Sequence, residues 1–187
     1  KAGENIRALQ HQGILVREDK PCYYFYRLIM QGRSQTGLVC ISSVEDYNNG
    51  IIKKHEYTRP DKEQDRINHI AISGAQTGNV FLAYNNVAEM DAVAENWMKA
   101  HSPLFDFTAS DGISHTVWQV SDTNTIEKIT AIFNEKIPCT YIADGHHRAA
   151  SAAKVRAALG EKAGPGADYF LTTLFPASHL KIMDYNR

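Results

Sequence analysis

The residues with the clearest chemical potential stand together at positions 144–148, in the run Asp-Gly-His-His-Arg, between an apolar segment and an alanine-rich one. The first backbone N–H groups of a helix have no partner inside the helix and lie at the positive end of its dipole, so a phosphate is stabilised there. Arg148 would add a forked set of donors, and His146 and His147 would add donors near neutral pH. Gly145 would let the backbone approach an anion closely. The run therefore predicts a phosphate-binding helix start.

Asp144 adds a carboxylate that simple anion binding does not require. Beside a polyphosphate, a carboxylate typically holds a bridging Mg²⁺, contacts a ribose or substrate hydroxyl, or orients a histidine. We expect the magnesium or hydroxyl role, which makes Asp144 both a candidate catalytic residue and a candidate magnesium ligand. A purely structural interpretation has Asp144 capping the helix, the histidines bonding local carbonyls and Arg148 pairing with an acid. Adjacent histidines point about 100° apart on a helix, so His146 and His147 need not share a metal ion.

A second polar cluster occupies residues 53–59, Lys-Lys-His-Glu-Tyr-Thr-Arg. Glu56 or His55 is a candidate general base, because base catalysis needs a carboxylate or imidazole near an attacking hydroxyl, and Lys54 is a candidate phosphate ligand. In an extended segment, alternate residues share a face, so two faces are expected, Lys54-Glu56-Thr58 and Lys53-His55-Tyr57. A solvated strand edge is the alternative interpretation. The helix that follows would carry Arg66 and His69 on one face.

Hydrophobic periodicity and turn residues predict the elements that position these groups. Strands interleave with helices in the second half and hairpins dominate the first, which predicts an α+β fold with a mixed sheet and flanking helices. An antiparallel meander is expected in the first half. Predicted strands are 14–16, 22–30, 37–42, 80–84, 105–109, 114–120, 138–143 and 168–175; predicted helices are 4–11, 44–49, 60–72, 88–101, 121–136 and 145–159.

The composition narrows the range of functions. The chain has 187 residues and a formal net charge of -1, so no excess positive field favours wide contact with DNA, which is an unlikely partner. No apolar run approaches the roughly 18 residues that a membrane helix needs, and the three cysteines form no C-x-x-C pair. We therefore expect a cytoplasmic protein without membrane contact. Residues 1–187 are expected to form a single α+β domain, the central portion of a longer chain.

The run I-A-D-G-H-H-R before an alanine-rich helix, with K-K-H-E-Y-T upstream, resembles a large uncharacterised family of cytoplasmic bacterial proteins. The motif in turn is similar to the ParB and sulfiredoxin superfamily, in which sulfiredoxins read G-C-H-R-x-x-A, ParB proteins G-E-R-R-x-x-A and free-serine kinases D-G-x-H-R. Gly145, His147 and Arg148 match that pattern. The resemblance implies a ParB/sulfiredoxin-like core in the second half that holds nucleotide phosphates at its helix start.

Departures from the motif separate the branches of that superfamily. His146 stands where sulfiredoxins have their cysteine, so sulfinic-acid chemistry is not expected. His147 replaces the first arginine of ParB proteins, and no helix-turn-helix follows within this chain. Asp144 points toward the kinase branch.

These observations lead to one principal expectation and two alternatives. The principal one is a nucleotide-dependent phosphotransferase that acts on a small hydroxyl metabolite, such as a free hydroxy amino acid, with ATP or ADP and Mg²⁺ as cofactors. The phosphates would be held by Gly145, His146, His147, Arg148 and Lys54. The alternatives are a non-catalytic nucleotide-binding switch and a metal-dependent hydrolase or nuclease.

Overall fold

A computed structural model describes residues 1–182, without the side chains of residues 61 and 62. Six helices alternate with eight strands along this part of the chain. The helices are α1 (Ala2–His11), α2 (Val44–Asn48), α3 (Pro60–Ser73), α4 (Ala88–Ala100), α5 (Thr123–Lys136) and α6 (His146–Leu159). The strands are β1 (Tyr23–Met30), β2 (Arg33–Ser43), β3 (Ile52–Lys53), β4 (Val80–Tyr84), β5 (Phe105–Thr108), β6 (Ser114–Val120), β7 (Thr140–Asp144) and β8 (Tyr169–Pro176).

The strands form an eight-stranded sheet in the order β3-β7-β4-β8-β2-β1-β6-β5. The predicted α+β class, with a mixed sheet and flanking helices, is confirmed. No helix within residues 1–182 has the length and apolar character needed to span a membrane. The single-domain prediction and the ParB/sulfiredoxin-like core stay predictions.

The chain divides into two compact units. The first comprises Lys1–Pro21, Ile41–Phe81 and Tyr141–Thr172; the second comprises Cys22–Cys40, Leu82–Thr140 and the chain from Thr173. Each unit is therefore assembled from three separate stretches of sequence.

In the first unit, α6 packs against α3, and four consecutive small side chains of α6 are buried. Ala149 and Ser151 are fully buried, and Ala150 and Ala152 are nearly so. Small side chains let two helix backbones approach closely, and the Ser151 hydroxyl donates to the backbone carbonyl of Glu63 on α3 across 3.3 Å. The alanine-rich composition of α6 is thus explained by close helix packing.

Glu63 anchors the same helix pair with a buried charge. Its side chain is buried and forms an ion pair with Lys154 of α6. Hydrogen bonds from Lys154 and from Thr58 hold the pKa of the Glu63 carboxyl below its ordinary value, although burial alone would raise it. The carboxylate therefore remains ionised while it is packed in the interior.

The second unit is built on antiparallel pairing. The β1 and β2 strands form a hairpin in which Met30 pairs with Arg33, and both turn residues, Gln31 and Gly32, have positive φ. On its other side β1 pairs with β6, which in turn pairs with β5. Positive φ at both central positions gives a turn whose twist matches the twist of the strands.

Two details of the predicted meander are wrong. Residues 14–16 form no strand, and Ile14 and Val16 are largely exposed, because this short apolar run follows the end of α1 and pairs with no neighbouring strand. The segment 32–36, expected as a loop, belongs mainly to β2, because the turn needs only Gln31 and Gly32. A two-stranded hairpin therefore replaces the three-stranded meander.

The Glu63–Lys154 pair predicts an asymmetry between two substitutions. Lys154→Met leaves a buried carboxylate without its main partner, so the free energy of unfolding should fall by about 1–3 kcal/mol. Glu63→Gln keeps the shape and removes the buried charge, so it should cost less. Urea unfolding at pH 7 measures both, with Lys162→Met as the control, which should change stability by less than about 0.5 kcal/mol. Equal losses for Lys154→Met and Glu63→Gln would contradict the assignment.

The same pair predicts how stability depends on pH. Because the folded pKa of Glu63 lies below its unfolded value, the stabilisation is complete above about pH 4.3 and is lost as the pH falls through the folded pKa. Unfolding free energies measured between about pH 5 and pH 3 should show a shallower slope for Glu63→Gln than for the wild type. An unchanged slope would mean that Glu63 titrates alike in the folded and unfolded states.

Candidate functional site

The strand β7 ends at Asp144 and the helix α6 begins at His146, with Gly145 alone between them. Gly145 has φ 97° and ψ 25°, a left-handed conformation that residues with a Cβ rarely adopt. A Cβ at this position would lie 2.8 Å from Nη2 of Arg148. The left-handed backbone therefore favours glycine here, and a larger residue would in addition displace the Arg148 guanidinium group.

The start of α6 leaves backbone donors available. Its first helical hydrogen bond runs from the N–H of Ala149 to the carbonyl of Gly145, at 3.0 Å, and no side chain caps the helix. The N–H groups of residues 146–148 have no partner within the helix, as at any helix start. Asp144 does not act as a cap, contrary to the structural interpretation of the sequence. The helix start retains the donors that an anion would need.

Arg148 reaches back over the glycine to Asp144. Its Nη2 lies 2.7 Å from Oδ2 of Asp144, while its Nε is buried and has no hydrogen-bond partner among the described residues. The side chains of Asp144 and Arg148 are 73% and 38% exposed, and such an exposed pair contributes at most about 1 kcal/mol. A ligand can therefore replace either partner at small energetic cost.

His146 is only 4% exposed and packs against the 53–59 segment. Its Nδ1 lies 3.4 Å from Oε2 of Glu56, and its ring meets the ring of His55 edge to face, with centroids 4.5 Å apart. Burial, followed by the charge of His55, lowers the pKa of His146 below the ordinary histidine value, although Glu56 opposes the shift. His146 is therefore neutral at pH 7 and does not supply a positive charge.

His147 also connects α6 to the 53–59 segment. Its Nε2 accepts a hydrogen bond from the backbone N–H of Arg59, at 3.1 Å. In the neutral ring the proton then lies on Nδ1, so His147 keeps one donor. The two adjacent histidines thus have different environments and different partners.

These groups open on a cavity of about 600 Å³. It is lined by Glu56, Asp65, Arg66, Asp144 and residues 145–148. Three carboxylates and two guanidinium groups therefore line one cavity. Carboxylate and phosphate oxygens together are the ligands that Mg²⁺ takes in phosphoryl-transfer sites, so this charge balance suits a metal-bound polyphosphate better than a bare one.

Most residues predicted from sequence meet here, but Lys54 does not line the cavity. Its Nζ lies 3.8 Å from the centroid of the Tyr47 ring. His55 touches His146 without lining the cavity. Among residues 1–182, no three His, Cys, Asp or Glu side chains cluster so that they could hold a metal ion by themselves.

The expected alternation of faces in residues 53–59 is wrong. The strand β3 ends at Lys53, and the chain beyond it is irregular, so His55 and Glu56 both reach His146 instead of pointing to opposite sides. Asp65 was not identified from sequence, and Arg66 was identified only as part of a helix face. Local periodicity gave no signal that α3 would present these two residues to the start of α6.

The comparisons with known proteins identify a family. Residues 1–187 match the family described as "Protein of unknown function (DUF1015)". The chain belongs to this family. Membership in DUF1015 confirms the prediction that the chain belongs to an uncharacterised family. No curated protein and no solved structure matches the chain significantly. The resemblance of the DUF1015 chain to the ParB and sulfiredoxin superfamily stays a prediction.

Gly145→Ala should damage the site and the fold together. The left-handed backbone and the displaced Arg148 side chain should lower the free energy of unfolding by about 1–3 kcal/mol. Gly166→Ala is the matched control, because a Cβ there meets no atom within 4 Å and its backbone does not have a positive φ. Chemical denaturation of both variants measures the difference. Equal stability of the two variants would rule out strain at Gly145.

Proposed function

We propose that this chain binds the phosphates of a nucleotide with Mg²⁺ at the start of α6 and transfers the terminal phosphoryl group to the hydroxyl of a small metabolite. One observation carries the proposal. The uncapped helix start, the glycine junction and the charged groups of Asp144, Arg148 and Arg66 border the same 600 Å³ cavity. A cavity of that volume lies within the range of small-molecule sites, about 300–1,000 Å³.

Phosphate binding would be shared between backbone and side chains. The N–H groups of residues 146–148 provide aligned donors at the positive end of the α6 dipole. Arg148, with an unpartnered buried Nε, and Arg66, which forms no ion pair with another described residue, supply forked donors. His147 adds its Nδ1–H. Neutral His146 instead supports the segment that carries Glu56.

Asp144 is the candidate Mg²⁺ ligand, because its carboxylate lies at the glycine junction and is largely exposed. When bound, Mg²⁺ would neutralise charge on the phosphates. Release of Arg148 from Asp144 would leave the carboxylate free for that role and the guanidinium free for a phosphate. Neither change requires the backbone to move.

Glu56 is the candidate general base. Its carboxylate lines the cavity and is 58% exposed, and it is positioned by contact with Nδ1 of His146, which His55 packs against. In the transfer step the acceptor oxygen bonds to the terminal phosphorus, the bond from that phosphorus to the bridging oxygen of the nucleotide breaks, and Glu56 takes the hydroxyl proton. His55 acts as a positioning residue through His146.

A non-catalytic switch is a second candidate, favoured by one specific observation. The 53–59 segment is held to the start of α6 by the Arg59 amide on His147 and by Glu56 on His146. An anion that reoriented either histidine would alter the position of that segment. Such a protein would bind nucleotide without consuming it.

Arg148→Ala should weaken nucleotide binding without unfolding the protein. Calorimetric titration with ATP, ADP and CTP in Mg²⁺ should show binding for the wild type and at least about a tenfold loss for Arg148→Ala, since charge-assisted hydrogen bonds are lost. Arg17→Ala, an exposed site outside the cavity, removes an equal charge and should bind as the wild type does. Full affinity in a normally folded Arg148→Ala variant would refute the phosphate site.

A measurement of phosphate transfer distinguishes the phosphotransferase from the non-catalytic switch. Phosphate transfer from a bound nucleotide to added hydroxy amino acids should be seen for the wild type and should drop about 10²-fold in Glu56→Gln, while nucleotide affinity is retained. Binding without turnover for any hydroxyl acceptor would favour the switch. Turnover unchanged in Glu56→Gln would remove Glu56 from the role of base.

A further inference from the structure

A second cavity, of about 320 Å³, lies within the second unit and shares no residue with the first. It is lined by β1 and β2 on one side and by α4 on the other. Its walls combine apolar side chains with one arginine, Arg27, and two carboxylates, Asp91 and Glu95. Such a combination is characteristic of sites for small polar molecules that also carry an apolar part.

The pairing of β1 with β2 places an arginine on an apolar sheet face. Phe25 pairs with Leu38 and Arg27 pairs with Thr36, and alternate residues of a strand share a face. Phe25 and Leu38 are buried. Arg27 therefore extends from the same surface as two core residues, and all four side chains line the cavity.

Arg27 has less polar contact than a partly buried guanidinium normally has. Its Cζ lies 4.7 Å from the centroid of the Trp118 ring, which holds the planar group by a cation–π contact. Its Nε is buried and has no hydrogen-bond partner, and Arg27 forms no ion pair with any described residue. A buried donor without a partner is costly, so a complementary anion in the cavity would be stabilised.

Asp91 faces the same cavity from the first turn of α4. Its carboxylate is partly buried and forms no hydrogen bond or ion pair with another described side chain, whereas the neighbouring Glu95 is paired with Lys99 at 3.4 Å. The apolar part of the lining includes Met90 and Met98 of α4 together with Leu38 of β2. Methionine side chains adapt to ligands of different shape.

We propose that this cavity binds a small zwitterion, with the ligand carboxylate on Arg27, its ammonium group on Asp91, and an apolar body against Met90, Met98 and Leu38. A free amino acid with an aliphatic side chain has this chemistry. The cavity volume is at the lower end of the range of small-molecule sites, which matches a ligand of that size. The inference is independent of phosphate binding in the first unit.

Binding can be tested with leucine, methionine and valine as probes. Titration calorimetry should detect at least one of them at concentrations up to about 10 mM, whereas isopentylamine and isocaproate, which lack one charged group each, should bind at least about tenfold more weakly. Each probe that lacks a charge leaves Arg27 or Asp91 unpaired. Absence of binding by all three amino acids, or binding of the amine or the acid as tight as that of leucine, would overturn the proposal.

Two substitutions test whether Arg27 and Asp91 bind the amino acid. Arg27→Met keeps an unbranched side chain of similar length, and Asp91→Asn keeps the shape of the carboxylate; each should weaken amino acid binding at least about tenfold. Lys128→Gln, an exposed position on α5 outside the cavity, should leave it unchanged. If Arg27→Met fails to fold, Asp91→Asn alone decides. Wild-type affinity in a folded variant of either residue would place the amino acid elsewhere.

Discussion

The close packing of α6 on α3 is the constraint on which the candidate site depends. Ser151 of α6 donates to the backbone carbonyl of Glu63 on α3, and the buried Glu63 carboxylate is satisfied by Lys154 of α6 and by Thr58, which lies just before α3. Because α6 is fixed against α3, Arg66 lies at the same cavity as the first turn of α6. The packing of small side chains thus holds charged groups of the two helices close together. Without it, each group would be solvated separately.

At the start of α6, geometry and electrostatics reinforce each other. A left-handed glycine turns the chain within one residue, so the carboxylate that ends β7 and the guanidinium four positions later meet over the helix start. The two adjacent histidines have different environments. His146 is buried, neutral and in contact with the segment that carries Glu56, while His147 accepts a backbone hydrogen bond and keeps one donor.

The cavity of the second unit combines charged groups in a different arrangement. In this cavity, a sheet face supplies Arg27 above Trp118, and the first turn of α4 supplies Asp91. A guanidinium on an aromatic ring keeps its planar orientation and retains its donors for a ligand. Each unit thus contains its own cavity, one proposed to bind phosphates and the other proposed to bind a zwitterion.

The sequence by itself determined the α+β class, most helix and strand positions and the glycine helix start, because these follow from local periodicity and from residues with strong backbone preferences. It placed β6 at residues 114–120 and β4 at residues 80–84, as observed. It failed at residues 14–16 and 53–59, where exposure and a short strand cannot be read from apolar or alternating patterns. Only the tertiary structure brought Asp65 and Arg66 to the cavity at the helix start and placed Lys54 over Tyr47. It also placed Arg27 and Asp91 at one cavity. These contacts join distant segments of the chain, so they depend on how helices and strands pack.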